Sequence, residues 1–251
     1  MKLKRALDIA VSFAGLVALA PLLVVLAAAV WLYDRHSPFF RGMRVGQGGA
    51  GFPILKFRSM RPDAWKSGAN STASSDTRIT WIGRFLRATK LDELPQLWNV
   101  LVGDMSLVGP RPQVVRDAAL YTDEESQMLA VRPGITDLAS IVFADEGQIL
   151  AGSDDPDLRY HQLIRPWKSR LALLYVEHSS VAVDREIIFL TALALFSRGR
   201  ALEGVVRLLR QWRADEAVCN VARRRDPLTP FPPPGARSVV ERYREIATRT
   251  A

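Results

Sequence analysis

The chain has 251 residues, 48% of them hydrophobic, which is enough apolar material for a packed core and excludes wholesale disorder. Its 34 Lys+Arg outnumber 26 Asp+Glu, and the formal charge of +8 favours phosphate-bearing partners: nucleic acid, an anionic membrane face or a phosphorylated small molecule. A single cysteine, Cys219, excludes an internal disulfide and a cysteine-rich zinc site and fits a reducing compartment.

From Ile9 to Tyr33 the chain carries 25 residues without a charge. As a helix this run is about 37 Å long at 1.5 Å per residue, longer than the roughly 30 Å hydrocarbon layer and longer than the apolar part of a signal peptide. Basic residues flank both ends: Lys2, Lys4 and Arg5 before, Arg35, Arg41 and Arg44 after. Positive charge favours the cytoplasmic side, so both ends are expected there. Pro21 sits near the middle, where it removes a backbone donor and kinks a helix. A re-entrant helix-turn-helix over 1–35, bent at Pro21, satisfies both features better than a straight span.

Pro38 to Met60 predicts two short strands around a Gly-rich turn, Gln47 to Gly51; a plain hairpin tip explains those glycines better than a phosphate cradle. Lys66 to Arg78 reads as a polar loop, and Trp81 to Thr89 and Asp92 to Val102 as helices. Thr122, three residues before Glu125, marks a capping-box start for a short helix through Ala130, and "VRPGIT" reads as a turn. "IRPWKSRLALLYVEHSS" and "DREIIFLTALALFSRG" read as amphipathic helices; the apolar centre of the second, Ile187 to Phe196, is too short to span a bilayer but can lie on one. "RRRDPLTPFPPPGAR" is basic and proline-rich and is expected to be extended and poorly ordered. The expected organisation is a membrane segment over 1–35, a catalytic body over 36–200 and a basic, Pro-rich extension over 201–251.

The stretch "TKLDELPQLWNVLVGDMSLVGPRP" carries the chemistry. Leu91, Leu94, Trp98 and Leu101 recur at helical spacing and predict one buried face; Asp92, Gln96 and Asn99 fall together on another. Pro95 is tolerable only in a first turn, so the helix begins near Asp92. Asp92 there is either a plain N-cap worth about 1 kcal/mol or a reactive carboxylate, and the spacing alone does not choose. The neighbours favour reactivity. Arg87 and Lys90 precede the Asp92-Glu93 pair, Arg111 is held between two prolines, and Lys56 and Arg58 add cations from "KFRSM". Two carboxylates suit Mg²⁺, and the metal with arginines neutralises a phosphate under attack. His36, His161 and His178 form no metal-binding spacing.

These segments, "KRALDIAVSFAGLVALAPLL", "KFRSM", "LDELPQLWNVLVGDMSLVGPRP" and "VRPGITDLAS", resemble the bacterial sugar transferases, the monotopic phosphoglycosyl transferases, in order from about Lys2 to Arg198. The resemblance implies a mostly helical α/β body with a small sheet and interfacial helices, facing the cytoplasm at the bacterial inner membrane, with a helix broken at Pro21. It implies transfer of a sugar phosphate from a UDP-sugar to polyprenol (undecaprenyl) phosphate, releasing UMP and starting exopolysaccharide or other glycoconjugate assembly. It further implies Asp92 as nucleophile forming an aspartyl phosphosugar, Mg²⁺ at Asp92 and Glu93, and phosphate contacts from Arg87, Arg111 and Lys56. Arg58, the second cation of "KFR", is counted with them. Anionic lipids are expected partners and nucleic acid is not. Three departures stand out: Ala20-Pro21 in place of Ser-Pro, "ITDLASI" in place of an "ITGWAQV"-like segment, and no multi-span N-terminal region, as in compact members. The competing readings are a membrane-tethered basic adaptor and a nucleic-acid binder. The sugar and the oligomeric state are not legible.

Overall fold

The computed structural model describes residues 2–64, 72–73 and 76–242. Most of the polar stretch expected as a loop, at 66–71 and 74–75, lies outside the described residues. The apolar N-terminal run forms α1 (Lys2–Asp34), one helix assigned through Pro21. β1 (Phe39–Val45) and β2 (Gly51–Phe57) form the expected antiparallel hairpin around a 3₁₀ turn, Gln47–Gly49. Gly48 and Gly49 adopt positive φ there, with open space where a Cβ would sit, so this tip is simply a tight turn.

α2 (Trp81–Ala88) is capped by Thr80, whose hydroxyl accepts from the Gly83 amide. A 3₁₀ turn, Leu91–Glu93, then leads into α3 (Gln96–Val102). The predicted buried face of α3 is reversed. Asp92, Gln96 and Asn99 are buried, whereas Trp98 is 52% exposed and Leu91, Leu94 and Leu101 are only half-buried. The polar stripe turns inward because Asn99 bonds β2 on both sides: its carbonyl accepts from Leu55 N at 2.8 Å and its amide donates to Pro53 O at 2.9 Å.

β3 (Ser106–Val108) pairs in parallel with β4 (Gly134–Thr136), so part of the segment expected as a turn is a strand. This pairing needs glycine: a Cβ on Gly134 would lie 2.1 Å from the Gly109 nitrogen. Between these strands run α4 (Val115–Ala118) and α5 (Asp123–Ser126), the latter with the Thr122/Glu125 capping box in place and followed by a 3₁₀ turn, Gln127–Ala130. α6 (Leu138–Val142), α7 (Glu146–Ile149), α8 (Pro156–Leu163), α9 (Arg165–His178) and α10 (Val181–Phe196) follow. α10 is apolar on two sides: Ile187 and Leu190 are buried while Ile188, Phe189, Leu195 and Phe196 are exposed. It is therefore more uniformly apolar than an amphipathic helix.

The segment expected as a basic extension is largely folded. α11 (Arg198–Gln211) and α12 (Glu216–Arg223) place Val205, Leu209 and Cys219 in the same buried cluster as Leu138, Trp167 and Tyr175. The proline-rich part is extended, as composition implies, but it is tied down. Phe231 packs 4.4 Å from the Trp167 ring and its amide donates to Gln162 O, while Thr122 Oγ1 donates to Pro234 O at 2.6 Å. A second cluster joins Leu26 and Val30 of α1 to Phe57, Ile82 and Leu86.

Candidate active site

Three backbone segments converge. β2 delivers Lys56, and the tie from Asn99 fixes it against the start of α3. The 3₁₀ turn delivers Asp92 and Glu93, entered through Lys90, a non-glycine residue at φ 59°. The loop after β3 delivers Arg111, whose backbone N–H donates to Asp137 Oδ2 at 3.3 Å. Asp137 also caps α6, accepting from Ser140 N and Oγ at 2.6 Å through its other oxygen. "TDLAS", a departure from the pattern the sequence resembled, thus holds the arginine loop.

At the centre, Glu93 is an acceptor only. Lys56 Nζ donates to its Oε1 at 3.0 Å, Arg111 Nη1 donates to Oε2 at 3.1 Å, and Arg111 Nη2 also donates to Oε1. Burial alone would push Glu93 up, but the charges of Arg111 and Lys56 outweigh it and hold the carboxyl well below the usual range. The ammonium of Lys56 moves the other way. Burial, then repulsion from Arg111, draws it from 10.5 to about 8 against the pull of Glu93 and Asp92.

Asp92 is buried, and its Oδ1 has no hydrogen-bond partner among the described residues. It therefore makes no side-chain N-cap at this turn. Burial and then the Glu93 charge raise its pKa, opposed by Lys56, Arg87 and Arg111. The result is one carboxylate committed to ion pairs beside another with a free oxygen, inside a cationic ring.

Of the sequence-predicted residues, Lys56, Asp92, Glu93 and Arg111 come together, and Arg87 acts on Asp92 through its charge. Arg58 does not join them. β2 ends at Phe57, and the Arg58 guanidinium turns to the end of α1, donating to both oxygens of Asp34 at 2.6 Å. Pro21 sits inside α1.

Sequence reasoning missed Arg44. Burial and then the Arg111 charge lower its pKa while Asp117 raises it, so Arg44 feels the charge of Arg111. It was counted only as a flanking charge of the membrane segment, since nothing in a strand pattern shows what a side chain will face. A cleft beside Arg111 is lined by Gln113, Asp117, Tyr121, Asp137, Tyr160 and Lys168, also unmarked in the sequence.

The bacterial sugar transferase family matches residues 1–198. The chain belongs to that family. Among its relatives, the exopolysaccharide production protein PSS of Rhizobium leguminosarum bv. phaseoli is 39% identical over 209 residues, 79% of this chain and 97% of that protein. The UDP-glucose:undecaprenyl-phosphate glucose-1-phosphate transferase of Klebsiella pneumoniae is 38% identical over 194 residues, 76% of this chain but 39% of that protein. The undecaprenyl-phosphate galactose phosphotransferase of Salmonella typhimurium is 35% identical over 216 residues, covering 79% and 41%. The chain thus spans about two fifths of those two larger transferases and nearly all of the Rhizobium protein. This sugar transferase is an enzyme of the phosphoglycosyl transferase type. Neither the adaptor nor the nucleic-acid reading finds support among these relatives. A helix long and apolar enough to cross a bilayer, together with these relatives, indicates a membrane location.

Proposed function

We propose that this transferase moves a sugar phosphate from a UDP-sugar to polyprenol phosphate through a covalent intermediate on Asp92, initiating an exopolysaccharide or related glycoconjugate. The observation that carries the reading is the free, buried Asp92 Oδ1 beside a Glu93 whose oxygens are held by Lys56 and Arg111.

Asp92 attacks the phosphorus bearing the sugar. The bond from that phosphorus to the bridging oxygen breaks, and UMP leaves with the electron pair. A phosphate oxygen of the polyprenol then attacks the same phosphorus, breaking the aspartyl bond and regenerating Asp92. Asp92 reacts as its carboxylate and polyprenol phosphate as its anion, so neither step demands a general base. The work of the site is to let an anion approach a diphosphate. Lys56 and Arg111 supply that positive charge, held by Glu93 before substrate arrives, and the charges of Arg87 and Arg44 add to it. Glu93 holds Lys56 and Arg111 in place.

Mg²⁺ fits these residues. A free carboxylate oxygen is available at Asp92, and this metal is commonly held by one or two carboxylates with substrate phosphates completing the shell. Asp92 would hold it, since the oxygens of Glu93 are engaged by Lys56 and Arg111, and when bound it would supply further neutralisation of the diphosphate.

The membrane arrangement we infer is re-entrant, with the body on the cytoplasmic face. Both ends of α1 rest on the same body. Near the N-terminus Lys4 donates to Val108 O, Arg5 donates to Leu101 O, and Leu107 N donates to Asp8; at the other end Asp34 pairs with Arg58. A straight span cannot return both ends to one side of a bilayer. Between them Phe13, Val17, Val24 and Val25 are exposed, as are Trp81, Phe85, Trp98 and Phe196 on the body, a surface suited to the lipid boundary.

Purified enzyme given Mg²⁺, polyprenol phosphate and a panel beginning with UDP-glucose and UDP-galactose should release UMP with at least one donor. Asp92→Asn should release none; turnover by that variant removes Asp92 as nucleophile.

A further inference from the structure

Gln96 follows Asp92 by four residues, Asp92 in the 3₁₀ turn Leu91–Glu93 and Gln96 at the first position of α3, and both side chains are turned inward. Gln96 is 0% exposed, and neither its Nε2 nor its Oε1 has a hydrogen-bond partner among the described residues. A buried amide without partners is costly, and native proteins keep few of them. Asn99, the next residue of the polar stripe, shows the ordinary outcome: its amide is spent on β2 and Asp104. Gln96 and Asp92 Oδ1 are the two groups on this stripe left unspent among the described residues, four positions apart in the chain.

We propose that Gln96 is a further catalytic residue, whose amide receives the phosphosugar as it is transferred to Asp92. This rests on the phosphoryl-transfer reading. The ligand class follows from the chemistry of the amide, which offers two N–H donors and one acceptor. A phosphosugar offers the complement to both, phosphoryl oxygens to accept and sugar hydroxyls to donate. Phosphate alone would leave Oε1 unmatched, and an apolar group would leave both ends unmatched. The N–H₂ group donates to a phosphoryl oxygen while Asp92 bonds to phosphorus. Because the amide is neutral, it adds a directed hydrogen bond to a ring of cations without changing the charge balance that sets the ionisation of Asp92.

This assignment separates stability from activity. Gln96→Met keeps the volume and removes an unmatched polar group from the free enzyme. Its Tm should equal or exceed that of wild type, while the single-turnover rate of UMP release falls about a hundredfold. KM for the UDP-sugar should change less than threefold, since the uridine and the pyrophosphate cations are untouched. Gln96→Glu, of the same length but lacking the N–H₂ donors, should be equally slow. A Gln96→Met enzyme within threefold of the wild-type rate overturns the proposal. So does a rate loss matched by a lowered Tm, which would mean the amide was already bonded in the free protein. Asp92→Asn run in parallel separates the two levels: if it is inactive while Gln96→Met is active, only the role of Gln96 fails, and if it is active, the covalent reading itself fails.

Discussion

Lys56 gives the most quantitative handle on the site. Burial and Arg111 draw its ammonium from 10.5 to about 8, which corresponds to about 3 kcal/mol of disfavoured charge at about 1.4 kcal/mol per tenfold change. The protonated form is the one that can hold Glu93 and face a phosphate. For the free enzyme, kcat/KM for the UDP-sugar should therefore fall as pH rises through about 8, approaching tenfold per pH unit above it. The stability contribution of this group has the opposite sign. Between about 8 and 10.5 an unfolded lysine binds a proton that the folded one does not, so its contribution to stability rises with pH over that window. Loss of activity there is consequently not unfolding. Lys56→Arg keeps its charge and should remove this limb, whereas Lys56→Met should lose about a hundredfold at pH 7 and show no limb of its own. The assay is initial UMP release at donor concentrations well below KM, from pH 6.5 to 9.5, with Tm followed alongside. A wild-type profile flat to pH 9.5, or a Lys56→Met profile that keeps the same limb, would refute the reasoning.

Arg58→Met should leave donor KM and kcat within about twofold of wild type while costing roughly 2 kcal/mol of stability, read from thermal unfolding, because its bonds go to Asp34 and not to the site. A large rise in donor KM at unchanged Tm would return Arg58 to the phosphate-binding set. Single cysteines placed at Lys2 and at Arg41 should both resist a membrane-impermeant thiol reagent applied outside cells and react after lysis. Labelling of one but not the other in intact cells would make α1 a straight span.

The central residues were legible because their chemistry is local. Asp92, Glu93 and the proline-bracketed Arg111 occupy one 24-residue stretch, and charge and spacing suffice to pick them out. The hairpin bearing Lys56 was legible from its turn. What misled was the assumption that an apolar stripe faces a protein core. On α3 the stripe with Trp98 is turned out and the polar stripe with Gln96 and Asn99 is turned in, which is the pattern expected where the outer solvent is lipid and the inner one is a polar site. The same inversion explains why α10 is apolar on two faces. Composition misled at the C-terminus, where arginines on the outer face of α11 hid a regular buried stripe of Leu202, Val205 and Leu209. Arg58 was misplaced for another reason: where a long side chain goes depends on a tertiary partner, here Asp34, that lies far off in sequence.

Incubating the enzyme with UDP-sugar labelled at the sugar-bearing phosphate, in the absence of polyprenol phosphate, followed by rapid quench and peptide mapping, addresses the chemistry at its source. One phosphosugar per chain should appear on the peptide containing Asp92, formed together with UMP and discharged on adding polyprenol phosphate. Label on any other residue, or UMP released only when the lipid acceptor is present and with no protein-bound label, would contradict the covalent route.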